Sequence, residues 1–138
     1  MNKHSYIAEI MTDRIIVANL NSSLVSLLEF FSEWKIQHLP VESYGKLVGI
    51  VSINDILHFI YQKVKADSTK TFDQIASEFG AVDIMTQNPI ALSPNDKIET
   101  ALKILAEGKF QAIPITLDGE IRGIITNKDL VRFFNKVG

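Results

Sequence analysis

The 138-residue sequence has no cysteine, which excludes disulfide bridges and thiolate metal sites. Its formal net charge is only −2 and its basic residues are scattered, so there is no electrostatic case for a nucleic-acid partner. It has no apolar run near the roughly 20 residues that span a membrane. Residues 1–6 also lack the apolar segment of a signal peptide. We therefore expect a soluble, cytoplasmic protein that does not associate with membranes.

What the sequence does contain is an internal repeat, in a chain with 46% hydrophobic residues. The stretch from Gly49 to Asp55 reads Gly, two apolar residues, a hydroxyl residue, two variable residues and Asp. The same pattern returns from Gly123 to Asp129. Around it, residues 10–57 align onto residues 84–131 without a gap. A fixed register of that length predicts two copies of one structural unit.

Each copy predicts the element order β-α-β-β-α. Apolar runs at residues 15–18 and 90–92 predict the first strands. Apolar residues at the spacing i, i+3, i+4, i+7 then predict a helix, with Ser93 as its N-cap and Pro94 as its first residue in the second copy. Glycine-containing turns predict a β-hairpin after that helix, and a second amphipathic helix closes each copy.

The repeat also predicts the domain organisation. We place the first repeat at residues 5–60, a linker with a short helix at 61–80, and the second repeat at 81–136. A unit of about fifty residues buries too little surface to be stable alone. We therefore expect an α/β (α+β) fold in which the two repeats pack sheet to sheet about a pseudo-twofold axis.

The repeated unit resembles the CBS domain, and the chain resembles a tandem CBS pair, or Bateman module. The resemblance rests on Ile-Met-Thr before each first strand, on Pro40 and Pro114 between apolar neighbours, and on the turn glycines Gly45 and Gly119. It rests above all on the two Gly-to-Asp stretches, and it covers nearly the whole chain.

This resemblance implies a ligand site. In the family, the cleft between two repeats holds adenine nucleotides or related adenosyl ligands, and the Asp of the motif accepts hydrogen bonds from the ribose hydroxyls. A carboxylate can accept from two vicinal hydroxyls, so the chemistry fits. By resemblance, Asp129 and Thr126 belong to one site, which His38 or Lys128 would also reach, and Asp55 and Ser52 belong to the other. The further candidate ligand-binding residues are Ile90, Ala91, Ala112, Pro114, Ile16 and Val17.

Each of these residues also has a purely structural interpretation. Ser52 with Asp55, and Thr126 with Asp129, have the spacing of a capping box at a helix start. His38 is either a phosphate contact at the Asp129 site or a surface histidine, and an unperturbed histidine is mostly neutral at pH 7. The matching position in the second repeat is an alanine, so we expect unequal sites and favour the Asp129 site for a phosphorylated ligand.

The leading functional hypothesis is a regulatory module that binds AMP, ADP, ATP or S-adenosylmethionine and signals to a separate, unknown effector protein. The alternative is a ligand-free oligomerisation or interaction module. In either case we expect a homodimer formed through the repeat helices. Catalysis is disfavoured because no nucleophile–base pair is evident, and His4, His38 and His58 lack metal-ligand spacing.

Overall fold

The computed structural model describes residues 5–137. The described residues exclude residues 1–4, among them His4, and residue 138. Most of residues 1–6, which lack the apolar segment of a signal peptide, therefore lie outside them. The described chain mixes helices and strands, so the predicted α/β class is confirmed. Along residues 5–137, no helix combines the length and the apolar character needed to cross a membrane.

The elements alternate along the chain. The helices are a 3₁₀ turn at Ile7–Glu9, α1 (Leu24–Glu33), α2 (Ile53–Ala66), α3 (Phe72–Glu78), α4 (Ala81–Ile84), α5 (Ile98–Ala106) and α6 (Asn127–Val137). The strands are β1 (Ala18–Asn19), β2 (His38–Ser43), β3 (Lys46–Ser52), β4 (Thr86–Gln87), β5 (Ala112–Leu117) and β6 (Glu120–Thr126).

The chain divides into two compact units that differ from the two sequence repeats. The Asp129 unit consists of the described part of Met1–Ile15, Gly45–Leu47 and the described part of Pro89–Gly138. The Asp55 unit consists of Ile16–Tyr44 and Val48–Asn88. Each unit therefore includes a short segment that lies, in sequence, at the start of the other repeat. We call this segment the leader: residues 5–12 in the Asp129 unit and residues 79–86 in the Asp55 unit.

In the Asp55 unit, β1 pairs in parallel with β2, which lies beside β3, and β4 of the leader pairs antiparallel with β3. Helices α1 to α4 cover these strands. The core is aliphatic because the inward positions of each element are aliphatic, as the alternating and helical patterns require. Its fully buried side chains include Leu24, Leu27, Leu39, Val51 and Ile75.

In the Asp129 unit, β5 and β6 form an antiparallel hairpin whose register runs from Ala112 opposite Thr126 to Leu117 opposite Glu120. The hairpin closes at Asp118 and Gly119, both with positive φ, as tight hairpin turns require. A second core lies between this hairpin, the leader, α5 and α6. Its buried side chains include Ile7, Ile98, Ile113, Ile125 and Leu130.

The two leaders are held in the same way. The Ile7 amide donates to the Asp96 carbonyl at 2.8 Å, and the equivalent Ala81 amide donates to the Ser22 carbonyl at 2.8 Å. Further along, Thr12 forms an antiparallel bridge with Ile124. The two units thus share one internal design, and their differences can be compared position by position.

Two expectations about the start of each repeat were wrong. The predicted strand at residues 15–18 is reduced to the two-residue β1, and residues 90–92 contribute only a bridge from Leu92 to Ile115. These segments pair with the neighbouring strand at one or two positions only. Apolar composition alone could not reveal how short the paired segment is.

The predicted start of α5 was also wrong. The helix begins at Ile98 rather than at Pro94, and its N-cap, Lys97, forms no capping side-chain bond. Asp96 accepts from the Ser93 amide at 2.7 Å, so this pair stabilises a separate turn before the helix. Ser93 and Asp96 have the three-residue spacing of a capping box, but here the pair closes a turn. In the first repeat Ser23 caps α1 by accepting from the Ser26 amide.

Candidate ligand site

Asp129 lies in the first turn of α6, immediately after β6, and it is only 6% exposed. The Thr126 amide donates to Asp129 Oδ2 at 2.9 Å, and the Thr126 hydroxyl donates to the same oxygen at 3.2 Å. The Asp129 amide lies 3.4 Å from Thr126 Oγ1. The structural interpretation of this pair as a capping box is therefore correct, and the carboxylate is fixed in one orientation.

Two further residues contact the other carboxylate oxygen. The Thr12 hydroxyl donates to Asp129 Oδ1 at 3.2 Å, across a sequence separation of 117 residues. The Arg132 guanidinium lies 3.7 Å from the same oxygen; its side chain is 67% exposed, whereas that of Asp129 is 4% exposed. Sequence reasoning missed both residues. The i, i+3 spacing of Asp129 and Arg132 could have indicated the ion pair.

The glycine of the repeated motif explains how the leader comes so close. A Cβ at Gly123 would lie 2.7 Å from the Thr12 carbonyl oxygen and 2.9 Å from Met11 Sδ. Any side chain there would push the leader away from β6. Gly123 therefore makes room for the contact that brings the Thr12 hydroxyl to Asp129.

Asp55 has a simpler environment. The Ser52 amide donates to Asp55 Oδ2 at 2.9 Å, and the Asp55 amide donates to Ser52 Oγ at 3.0 Å. Asp55 is half-buried. Within residues 5–137 its carboxylate has no hydrogen bond from Thr86, the equivalent of Thr12, and no ion pair with His58, the equivalent of Arg132. The same motif thus gives a helix cap here without the additional network.

His38 lies at the start of β2 in the Asp55 unit. Burial lowers the pKa of His38 below its ordinary value of 6.5, and the negative charge of Asp55 opposes that shift without overcoming it. At pH 7 the imidazole is neutral, so it can form a hydrogen bond with a phosphate but brings no positive charge. The carboxylate that influences it belongs to its own unit. Its role at the Asp129 site stays a prediction.

The remaining predicted ligand residues fall into three environments. Ala112 is paired with Thr126 in the β5–β6 register, and Pro114 is buried two residues further along the strand. Ile90 and Ala91 are exposed, as is Lys128. Ile16 and Val17 of the Asp55 unit are half-buried just before β1. The structure brings Ala112 beside Thr126, while contact between any of these residues and a ligand stays a prediction.

The chemistry available here is hydrogen bonding and charge, in a region without an evident metal centre. Among the described residues, no group of three or more acidic or histidine side chains could hold a metal ion. Buried side-chain polar atoms within residues 5–137 all have partners. An oriented carboxylate, flanked by hydroxyl groups and an arginine, can accept hydrogen bonds from a polyhydroxylated ligand.

The fold and the duplicated helix start define a protein of the tandem CBS class. The family description "CBS domain" matches residues 7–62 and again residues 81–136. The chain therefore belongs to the CBS domain family, and the two matches make it a CBS pair, or Bateman module. The resemblance inferred from the sequence is confirmed.

Similar proteins include CBSX2, a chloroplastic CBS domain-containing protein of Arabidopsis thaliana, which is 32% identical over 91% of this chain and 62% of its own length. A 33.4 kDa protein of Thermofilum pendens is 27% identical over 93% of this chain and 43% of its own length. The chain thus spans less than two thirds of these curated relatives.

Solved structures agree with the fold. The crystal structure of CBSX2 in complex with AMP has 29% identity, covers 96% of this chain and 97% of that chain, and gives a TM-score of 0.79. A CBS domain pair in complex with 5′-methylthioadenosine and S-adenosyl-L-methionine has 23% identity, covers 94% and 99% of the two chains, and gives a TM-score of 0.77. At 23% identity, that second likeness supports the fold alone.

Proposed function

We propose that the chain is a non-catalytic regulatory module that binds an adenosyl ligand and signals its presence to a separate effector protein. AMP, ADP, ATP and S-adenosylmethionine are the candidate ligands. The observation that carries the proposal is the carboxylate of Asp129, which is buried, oriented by Thr126 and reached from the leader by Thr12. A fixed acceptor of this kind suits the two vicinal hydroxyls of a ribose.

Binding would use an exchange of hydrogen bonds. Oδ2 of Asp129 is held by Thr126, so the ligand would reach Oδ1, where the Thr12 hydroxyl now donates at 3.2 Å. Thr12 is exposed, which leaves its hydroxyl free to turn to the ligand when a ribose hydroxyl takes its place. The hydrogen bond from Thr12 is replaced by one from the ribose hydroxyl to the same carboxylate oxygen, and the carboxylate need not reorient.

The likeness to CBSX2 supports an adenine nucleotide in particular. CBSX2 binds AMP in its crystal structure, and at 29% identity it matches nearly the full length of this chain. The exposed Lys128, beside Asp129 in the first turn of α6, supplies a cation for a phosphate, and the N-terminal end of a helix favours anions. In the other unit, the neutral His38 offers only a hydrogen bond.

Isothermal titration calorimetry of the full chain against AMP, ADP, ATP and S-adenosylmethionine tests the proposal. We expect saturable binding of at least one of them. The second measurement is the melting temperature of the chain with and without saturating ligand. A ligand that binds only the folded state raises its stability, and the melting temperature rises with it. Absence of both heat and thermal shift with all four would refute the adenosyl-sensing function.

A ligand-free interaction module is the second candidate, because large apolar side chains are exposed on the helices of the Asp55 unit. Their exposed fractions are 46% for Val25, 40% for Leu28, 52% for Trp34, 59% for Leu57 and 61% for Tyr61. Leu27, in the same helix as Val25 and Leu28, is fully buried and cannot contribute. The exposed residues support our proposal of a homodimer.

Light scattering with size-exclusion chromatography tests this second candidate. We expect a homodimer for the unmodified chain and a monomer for Leu57→Lys, because a lysine in a buried apolar contact loses its hydration. Lys65→Glu, near the end of the same helix, is the matched charge-changing control. A monomeric unmodified chain would exclude the dimer, and purified protein that carries nucleotide would exclude the ligand-free interpretation.

A further inference from the structure

Helices α2 and α6 expose side chains at equivalent positions, but these side chains differ in charge. Both helices begin at the same position of the repeat, so their exposed faces can be compared residue by residue. The exposed residues between positions 54 and 62 of α2, which we call the α2 face, are Asn54, Leu57, His58, Tyr61 and Gln62. The equivalent exposed residues of α6, which we call the α6 face, are Lys128, Val131, Arg132, Asn135 and Lys136.

The α2 face has the composition of a protein interface. It contains no lysine, arginine, aspartate or glutamate, and an amide or a histidine stands wherever α6 has a cation. Tyr61 replaces Asn135, and it lies one helical turn from Leu57. Leu57 is 59% exposed and Tyr61 is 61% exposed. Depletion of charge together with an exposed tyrosine is typical of surfaces that another protein covers.

The polar side chains of the α2 face are compatible with a second copy of the same face. An amide group both donates and accepts hydrogen bonds, and so does a phenol hydroxyl. Asn54, Tyr61 and Gln62 can therefore form hydrogen bonds with the same set of residues in another copy, as a twofold contact between identical surfaces requires. A charged side chain lacks this property, because it repels its own copy.

The other pairings of these two helix faces bury or oppose charges. Two α6 faces in contact would bring the three cations of one copy against those of the other. An α6 face on an α2 face would remove its cations from water, and the α2 face has no acidic residue to pair with them. The nearby Asp55 carboxylate is half-buried and accepts from the Ser52 amide at 2.9 Å. Contact between two α2 faces is the pairing that buries no cation.

We propose that the homodimer is formed by contact between the α2 faces of two copies, with Tyr61 of each copy packed on Leu57 of the other. The α6 face stays in water, where its cations remain hydrated. This inference rests on the proposed homodimer and specifies which surface of the chain forms it. It does not require a bound nucleotide, so it can be tested separately from ligand binding.

The absence of cysteine from the sequence allows the contact to be mapped by thiol crosslinking. Gln62→Cys places a thiol on the α2 face, and Lys136→Cys places one at the equivalent position of the α6 face. With a short bismaleimide, Gln62→Cys should form covalent dimers at least about tenfold faster than Lys136→Cys, because thiols held together in a complex react at a high effective concentration. Faster crosslinking of Lys136→Cys, or preferential crosslinking of the two variants to each other in a mixture, would overturn the proposal.

Tyr61→Asn tests the same contact without a crosslinker, since it gives α2 the residue that α6 has at the equivalent position. The dissociation constant of the dimer, measured by sedimentation equilibrium, should rise at least about tenfold, because buried tyrosines are often hot spots. Asn135→Ala on α6 is the matched control and should leave it unchanged. A dimer that Tyr61→Asn does not weaken would overturn this contact while leaving the homodimer intact. An unmodified chain that stays monomeric would overturn both.

Discussion

The two units begin α6 and α2 with the same motif and use it differently. Asp129 is held by Thr126, contacted by the Thr12 hydroxyl and approached by Arg132. Within residues 5–137, the Asp55 side chain is hydrogen-bonded only in its capping box with Ser52. The motif by itself therefore makes a helix cap. Both leaders carry a threonine at the equivalent position, but within residues 5–137 only Thr12 donates to the carboxylate, and only the Asp129 unit has an arginine in the next helical turn.

The leaders differ as well. Phe79 packs edge-on against Phe59 of α2, whereas Ser5 lines a cleft beside α6. A duplicated fold needs identical side chains only where both copies bury the same contacts. At the other positions each copy is free to change.

The largest expected effect concerns the motif glycines. Gly123→Ala places a Cβ 2.7 Å from the Thr12 carbonyl oxygen. Because this oxygen belongs to the backbone, it can move away only if the whole leader moves. We expect a loss of about 3 kcal/mol in the free energy of unfolding, at the upper end for overpacking. Urea denaturation followed by circular dichroism measures it.

Gly49→Ala is the matched control for that prediction. Its Cβ would lie 2.4 Å from Met85 Sδ and 3.0 Å from the Thr86 carbonyl oxygen. The flexible Met85 side chain can move away, so we expect a smaller loss, on the order of 1 kcal/mol. Equal losses for the two alanine variants would contradict the difference in backbone crowding between Gly123 and Gly49.

Thr12→Val should have the next largest effect. It removes the hydroxyl donor from a carboxylate whose side chain is only 4% exposed. Losing a hydrogen bond to a charged group costs about 1.5–3 kcal/mol, and urea denaturation measures the change. Thr86→Val, at the equivalent position in the other leader, should change stability by less than about 0.5 kcal/mol. A Thr86 variant as destabilised as the Thr12 variant would contradict the contrast between the two networks.

The sequence predicted the local part of this arrangement. The capping boxes follow from spacing, because the residues involved are three positions apart, and the hairpin turn follows from Asp118 and Gly119. The Thr12–Asp129 contact joins residues 117 positions apart. It depends on how the chain folds back, which no periodicity encodes. The regrouping of leaders and repeats into two units was missed for the same reason.

The smallest expected effect is the pH dependence due to His38. Burial lowers its pKa in the folded chain, so the unfolded chain takes up the proton first as the pH falls below 6.5. Stability is then lost until the pH has fallen through the lowered folded pKa, and above 6.5 the contribution is constant. The drop in melting temperature from pH 7.5 to 5.5 should be smaller for His38→Asn. Identical drops would show that His38 does not titrate differently on unfolding.

The central claim is that the Asp129 network, more than the Asp55 cap, makes a ligand site. The most direct test is calorimetric titration of AMP into the unmodified chain, Asp129→Asn and Asp55→Asn, with folding checked by circular dichroism. Asp129→Asn should weaken AMP binding at least about tenfold, as expected for the loss of a charge-assisted hydrogen bond. Asp55→Asn should weaken it less. AMP binding that survives Asp129→Asn but is lost in Asp55→Asn would contradict the account.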